Sequence, residues 1–423
     1  MNESRHESGA GYVEPPRSCL RPAFFDFVRP DPRGDCATAE EGRGGRGDAL
    51  KFGIFFELSV PRPFGPAIER QVYENALEQA RLADALGFDW VWAVEHHFLE
   101  EYSHCSAPEL VLTAVAMQTK RIRVGHGAVV CVPEMNHPIR VAERAATLDL
   151  LSGGRLELGT ARSSTWTELG GFQVNPDETK KTWDEFVRAL PVLWRREPVR
   201  WNGRCFSMPE RNVLPKPVQD PHPPLWVTVT SPGTELDAAE RGIGCLGVSA
   251  ASYQEQERRT REYHRRIQSC NPVSSVVNDQ VATLNFLYCH EDRKRAAELG
   301  MRFMGAFSVA NSHLLWTREA FPTRAYQSLA NLAPSASGSG ATNPGDGVAL
   351  PEGLCIGDPQ HCIAAIKRWE SIGVTGVNFL LNGMEAVPQP AVLDSLRLFA
   401  REVMPQFRKE PTTTARALAG AGQ

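Results

Sequence analysis

The sequence predicts an α/β chain folded as a (β/α)8 TIM barrel with a lid-type insertion, and three observations carry that expectation. Short, continuously apolar runs alternate with amphipathic helical patterns, which is how a parallel sheet covered by helices reads. About eight such strand–helix units fit within the 423 residues, the number that closes a barrel. No G-x-G-x-x-G follows the first strand, which counts against the alternative, an open doubly wound sheet that binds a dinucleotide.

The elements follow in order. The run KFGIFFEL (Lys51–Leu58) is a short apolar strand. Ile68, Val72, Ala76, Ala80 and Ala83 then recur on one helical face, and Gly87 stops that helix as a left-handed C-terminal residue would. DWVWAV (Asp89–Val94) is the second strand, followed by a helix over Pro108–Thr119. IRVGHGAVV (Ile122–Val130) is the third, followed by a helix from Pro138 to Leu151 that ends at SGG. RLELGT (Arg155–Thr160) and a helix over Thr179–Trp194 make the fourth unit, with a longer connection after it. PLWVTV (Pro224–Val229), CLGVS (Cys245–Ser249), QVATLNFLYC (Gln280–Cys289) and GVNFLL (Gly376–Leu381) complete the set. Helices are expected over Thr234–Arg241, Gln254–Gln268, Pro359–Gly373 and from Pro390 to about Met404.

Outside this rhythm, residues 1–49 are rich in Gly, Arg, Pro and acidic groups with no apolar period, and read as a flexible arm. Residues 50–407 form the barrel domain, interrupted by a Gly/Ser-rich loop at about 330–352, and residues 408–423 read as a disordered tail. A long loop inside a compact domain is commonly a lid or a binding loop. The net charge of −4 draws the chain to neither nucleic acid nor an acidic membrane. No apolar run reaches spanning length, and no basic-then-apolar leader opens the chain, so the expected location is cytoplasmic. The ten cysteines are scattered without a C-x-x-C pair, so neither a disulfide framework nor a structural zinc is expected.

In such a barrel the chemistry belongs at the C-terminal strand ends. There the second strand offers Glu95, His96 and His97, and the third carries His126, Gly127 and Ala128, with Asn136 and His137 beyond. The histidines are expected to reach one another across the mouth. Adjacent residues of a strand face opposite sides, so His96 and His97 are not expected to share a metal, and no metal site is expected. The stretch VTSPGTELDAAERG (Val229–Gly242) offers an anion site: Ser231 suits an N-cap, Pro232 the first turn, and the hydroxyls of Thr230, Ser231 and Thr234 surround a helix N-terminus. A plain capped helix would read the same way. Arg162 and Lys180 are the cations that would favour a phosphate.

Taken in order, KFGIFFEL, GFDWVWAVEHHF, IRVGHGAVVCVPEMNHPIRVAERAATLDLLSGGRLELGTARS, PLWVTVTSPGTELDAAERGIG and IGDPQHCIAAIKRWESIGVTGVNFLL resemble the bacterial luciferase-like flavin-dependent monooxygenases, from about Lys51 to Pro405. The resemblance implies a barrel that takes reduced FMN from a separate flavin reductase and oxidises a small organic substrate with O2 through a flavin C4a-hydroperoxide. It implies His96 as the catalytic histidine, with Glu95 and His97 as its supports, and a cis Gly127–Ala128 peptide beneath the flavin ring. It implies Arg162 and the Thr230, Ser231 and Thr234 loop as phosphate ligands. Lys180 stands where the family commonly has a second arginine. Ala161 stands where the light-emitting subunit has a reactive cysteine, so aldehyde oxidation is not implied. A homodimer through helices near strands 2 and 3 is implied as well. Two rivals share the resemblance: a deazaflavin-dependent hydride-transfer enzyme, and a non-catalytic flavin-binding subunit.

Overall fold

The computed structural model describes residues 49–163, 165–248, 253–315, 350 and 352–408. The expectations for residues 1–49, for the loop at 330–352 and for the tail at 408–423 lie outside these residues except at their margins.

All eight anticipated strands form, and they close. The ring runs β1 (Lys51–Phe56), β2 (Trp90–Ala93), β3 (Arg123–Val130), β4 (Leu156–Ala161), β7 (Leu225–Thr228), β8 (Gly244–Val248), β9 (Val281–Cys289) and β11 (Gly376–Leu380). Every neighbour pair is parallel, and β11 returns to β1 with Lys51 opposite Gly376. Helices α1 (Pro66–Leu86), α2 (Pro108–Gln118), α3 (Pro138–Ser152), α5 (Thr179–Leu193), α6 (Thr234–Glu240), α7 (Tyr253–Ile267), α9 (Pro359–Ser371) and α10 (Gln389–Glu402) cover the outside. Most begin with proline in the first turn, where a missing N–H costs nothing. Gly87 ends α1 at φ 85°, its N–H bonded back to the last turn.

Five strands and α-helices are additional to the expected pattern. The hairpin β5 (Val199–Asn202) and β6 (Ser207–Arg211) occupies the long connection before β7. Its side chains are mostly exposed, so it carries no apolar run to announce it. A short α4 (Trp166–Gly171) follows β4, a long α8 (Arg293–Leu315) follows β9, and β10 (Cys355–Gly357) pairs with the end of β9 outside the ring.

Side-chain alternation sorts the strands into a lumen face and a helix face. Trp90, Trp92 and Trp226 point inward and pack edge-to-face, Trp92 and Trp226 with centroids 5.5 Å apart. Three indoles fit one barrel because facing positions lack side chains: a Cβ at Gly125 would run into the Trp92 ring, and one at Gly376 into Trp90. Glu157 enters the same layer, accepting from the Trp226 Nε1–H at 2.7 Å and from Arg123. Outward residues such as Phe52 and Phe379 pack on Phe399 of α10.

The block that ends LSGGR acts at the far, N-terminal end of the strands. Asp149 is fully buried and accepts from the backbone N–H groups of Val218 and Gln219 at 2.8 and 2.9 Å. Arg155 donates to the carbonyls of Ala116, Ile122 and Ser152 and so closes the end of α2. This motif is structural: it staples the floor of the barrel.

Candidate active site

The mouth is built by strand ends that lie side by side in the wall. β2, β3, β4 and β7 are consecutive neighbours, so the residues after Ala93, around Gly127, after Ala161 and after Thr228 form one continuous rim. Backbone strain collects on the rim. Six non-glycine residues among those described have φ between 50° and 64°; Leu58, Phe98, Ser163, Met384 and Glu385 each follow the end of β1, β2, β4 or β11, and the sixth, Gln173, follows α4. Such conformations persist where the surroundings over-determine them, typically at functional sites.

β2 ends at Ala93, so His96 and His97 stand on irregular chain beyond it. The His96 N–H bonds to the Cys105 carbonyl at 2.9 Å. Its Nδ1 lies 2.9 Å from Glu168 Oε1, and its Nε2 lies 3.7 Å from Glu57 Oε2. Glu168 is fully buried. It also accepts the His97 N–H at 3.1 Å and the hydroxyls of Ser163 and Thr165 at 2.8 Å each. Burial alone would strip the proton from His96, but Glu168, and behind it Glu57 and Glu95, outweigh that and push the imidazole up to about 9. The same contacts hold Glu168 below the usual carboxylate range against its burial. His96 is therefore an imidazolium at neutral pH, rather than a group poised near 7.

Glu95 and His97 take different parts. Glu95 Oε2 accepts the Val130 N–H at 2.9 Å, and Oε1 accepts the Asn136 amide at 2.6 Å and faces His97 Nε2 at 3.2 Å. Glu95 is thus a bracket that fixes the end of β3, and Asn136 belongs to the bracket. The His97 ring stacks edge-on with Phe172 at 4.9 Å.

The expected gathering of histidines does not occur. His126 shares the parity of Val124 and points out of the lumen into a small cavity with Glu109, Val141 and Arg144 of α2 and α3. Burial, and then Arg144, pushes it down to about 3, and its Nδ1 has no partner. His137 caps α3, its ring nitrogen accepting from the Ile139 N–H at 3.3 Å.

The Gly127–Ala128 peptide is cis, and a Cβ on Gly127 would sit 2.8 Å from the Phe55 ring. Arg162 follows β4 and is half-buried, next to Ser163, which shares Glu168 with His96. Lys180, on the first turn of α5, is paired with Asp237 of α6 at 2.7 Å, which brings α5 and the loop after β7 together. That loop differs from expectation: Gly233, at φ 88°, is the N-cap of α6 without a side-chain cap, so neither Ser231 nor Pro232 takes its expected place. Glu235 accepts the Gly233 N–H at 2.9 Å, spending a backbone donor that an anion would need. Thr230 is exposed, Ser231 half-buried and Thr234 buried.

Sequence reasoning gave no role to Glu57, at the end of the KFGIFFEL run, or to Tyr102, Ser163, Thr165 and Glu168. The last two carried a signal: T-x-x-E after β4 is a capping box, and the Glu168 N–H does bond to Thr165 Oγ1 at 3.2 Å. Among the described residues no group of three or more His, Cys, Asp or Glu is arranged to hold a metal, and no helix is long and apolar enough to cross a membrane.

Comparison with known proteins is decisive at this point: residues 50–376 match the model of the luciferase-like monooxygenases. The chain belongs to the luciferase-like monooxygenase family. Membership makes it a flavin-dependent monooxygenase. A family relative, the oxygenase component of the flavin-dependent trigonelline monooxygenase of Acinetobacter baylyi, is 26% identical over 85% of this chain and 96% of its own. An uncharacterised Sinorhizobium fredii protein, y4wF, is 35% identical over 48% of this chain, which spans 57% of that relative's length. Among solved structures, the oxygenating constituent of 3,6-diketocamphane monooxygenase from Pseudomonas putida, in complex with FMN, superposes with a TM-score of 0.66 at 20% identity, covering 85% of this chain and 99% of that one.

Proposed function

We propose that this luciferase-like monooxygenase is the oxygenase component of a two-component system: it takes reduced FMN from a separate reductase and uses O2 to oxidise a small organic substrate. One observation carries the reading. Along three adjacent strands the rim offers a half-buried imidazolium at His96, the cis Gly127–Ala128 peptide, and a half-buried arginine, Arg162, with no ion pair among the described residues. An anion would complete Arg162, and His96 and the Gly127–Ala128 peptide stand on the neighbouring strands. The residues therefore fit a phosphate-tailed flavin. The relative named as an oxygenase component and the FMN-bound neighbour support the reductase and the cofactor respectively.

Bound reduced flavin would supply the activation of O2, while the chain supplies position and proton control. Arg162 holds the phosphate, with Thr230, Ser231 and Thr234 beside it. Lys180 contributes only if Asp237 yields it. His96, charged at neutral pH, acts as the acid toward oxygen-bearing groups and as the base once neutral, and Glu168 fixes the ring through Nδ1. Glu95 and His97 keep the β3 end and the ring's surroundings in place. A homodimer is part of the proposal: α2 exposes Leu110 and Met117, at 70% and 65%, and α3, which packs on it, exposes Leu150 and Leu151. Light scattering of a Leu110→Glu/Met117→Glu variant should report monomer where the native protein reports dimer.

The test is O2 consumption by the purified chain with a flavin reductase, FMN and NADH, against a panel of substrates. Substrate-dependent O2 uptake that His96→Gln abolishes, with reduced FMN still bound, supports the reading. Hydride transfer from reduced deazaflavin without O2 uptake would replace it with the hydride-transfer alternative.

A further inference from the structure

Glu168 leaves one nitrogen of His96 unexplained. Its two oxygens are saturated: Oε1 takes Nδ1 of His96 and the His97 N–H, and Oε2 takes two hydroxyls. The proton on Nδ1 is therefore pinned. Nε2 faces the other way, toward the end of β1, where Glu57 is 6% exposed. Glu57 Oε1 accepts the Tyr102 O–H at 3.1 Å. Glu57 Oε2 is buried with no hydrogen-bond partner and stands 3.7 Å from Nε2. A buried carboxylate oxygen with no donor is costly, and Nε2 is the atom able to relieve it. Tyr102 is itself anchored: its carbonyl accepts the Ser59 hydroxyl at 2.8 Å, and its ring meets the His96 ring edge-on at 5.3 Å and Phe307 at 5.7 Å.

We propose that Glu57 Oε2 is the counter-charge facing the Nε2 proton of His96, and that Glu57, oriented by Tyr102, is the positioning residue that draws a replacement proton to the ring after each turnover. The pairing is a property of the flavin-free protein; only its catalytic use rests on the reading of His96 given above. When the ring gives its Nε2 proton to a bound acceptor, the N–H bond breaks, a bond to hydrogen forms on the acceptor, and the ring becomes neutral with Nδ1–H kept. Glu57 stays ionised throughout, and its charge draws one replacement proton from solvent to Nε2. The gap of 3.7 Å is too long for a settled hydrogen bond and short enough for strong attraction, so a ligand can take the proton without breaking a tight pair. The titratable groups facing the pair are Tyr102, Glu168, Glu95 and Cys105. Burial raises Glu57 above the usual carboxylate range, opposed by His96 and by the Tyr102 hydrogen bond.

The test is a histidine NMR titration of the flavin-free protein, with the His96 signal assigned by its loss in His96→Gln. Glu57→Gln should lower the proton affinity of His96 about tenfold or more, because an opposite charge at this range is removed. Tyr102→Phe should move the titration the same way by less, because ionised Glu57 loses its donor, and it serves where Glu57→Gln does not fold. Either variant, folded by near-ultraviolet circular dichroism and with an unchanged His96 titration, overturns the proposal. A titration that moves while turnover stays native supports the electrostatic pairing and overturns the catalytic role of Glu57, while the reading of His96 is tested by His96→Gln, so the two fail separately.

Discussion

Glu168→Gln is the substitution whose consequence the structure specifies most fully. The change keeps shape and removes charge from a site that no water reaches. Oε1 of the amide still accepts from His96 and His97, and the amide nitrogen can donate to Ser163 and Thr165, whose hydroxyls rotate. What is lost is the carboxylate that keeps His96 charged. His96 is raised from 6.5 to about 9 in the folded chain, and at 1.36 kcal/mol per pH unit this is worth about 3 kcal/mol. The sign follows from the direction: a raised base binds its proton more tightly when folded. That stability is fully present below about pH 6.5 and is lost as the pH climbs through about 9. The native protein should therefore exceed Glu168→Gln by up to about 3 kcal/mol at pH 6.5, Glu57 and Glu95 keeping part of the shift in the variant. The difference should shrink to about 1 kcal/mol, the worth of a neutral hydrogen bond, above pH 9. Urea unfolding of both proteins across pH 6 to 10, in the range where refolding is reversible, reads the difference directly, and ionisations common to both cancel. A difference that is constant across this range would refute the argument, because His96 would then not be charged through Glu168.

Arg162→Ala should weaken reduced FMN about 10- to 100-fold in anaerobic fluorescence titration, the worth of a charged hydrogen bond, and leave the urea midpoint unchanged since the guanidinium makes no ion pair among the described residues. Gly125→Ala should cost about 1–3 kcal/mol in urea unfolding, because the added Cβ meets the Trp92 ring, which Trp90 and Trp226 hold in place. His126→Leu should cost less than about 1.5 kcal/mol and leave the pH profile of turnover unchanged, because His126 is neutral, outward-facing and unpartnered at Nδ1.

The partition between sequence and structure is clearest in the residues around His96. The strand order, the closed ring and the helix starts at proline were legible because each is a local rule: apolar run, 3.6-residue period, proline at the first turn. The cis Gly127–Ala128 peptide was reachable only through resemblance, since nothing in its neighbours requires it, whereas Arg162 already stood out as a cation for a phosphate. The hairpin β5–β6 was invisible because exposed strands carry no apolar period. The N-cap of α6 was misplaced because Ser231, Pro232 and Gly233 are each acceptable there by local preference, and the choice fell to the left-handed backbone at Gly233.

The sequence by itself determined the barrel, because a parallel sheet is written in the hydrophobicity of each strand one segment at a time. It also determined that the mouth would hold Glu95, His96 and His97, because they follow a strand end. Only the tertiary structure decided their states. Glu57, Tyr102 and Glu168 lie 39 residues before, 6 after and 72 after His96 in the chain, yet close around one imidazole. Parity along β3 decided that His126 faces the helices rather than the mouth. A proton's affinity depends on distance and burial in space, and chain separation encodes neither.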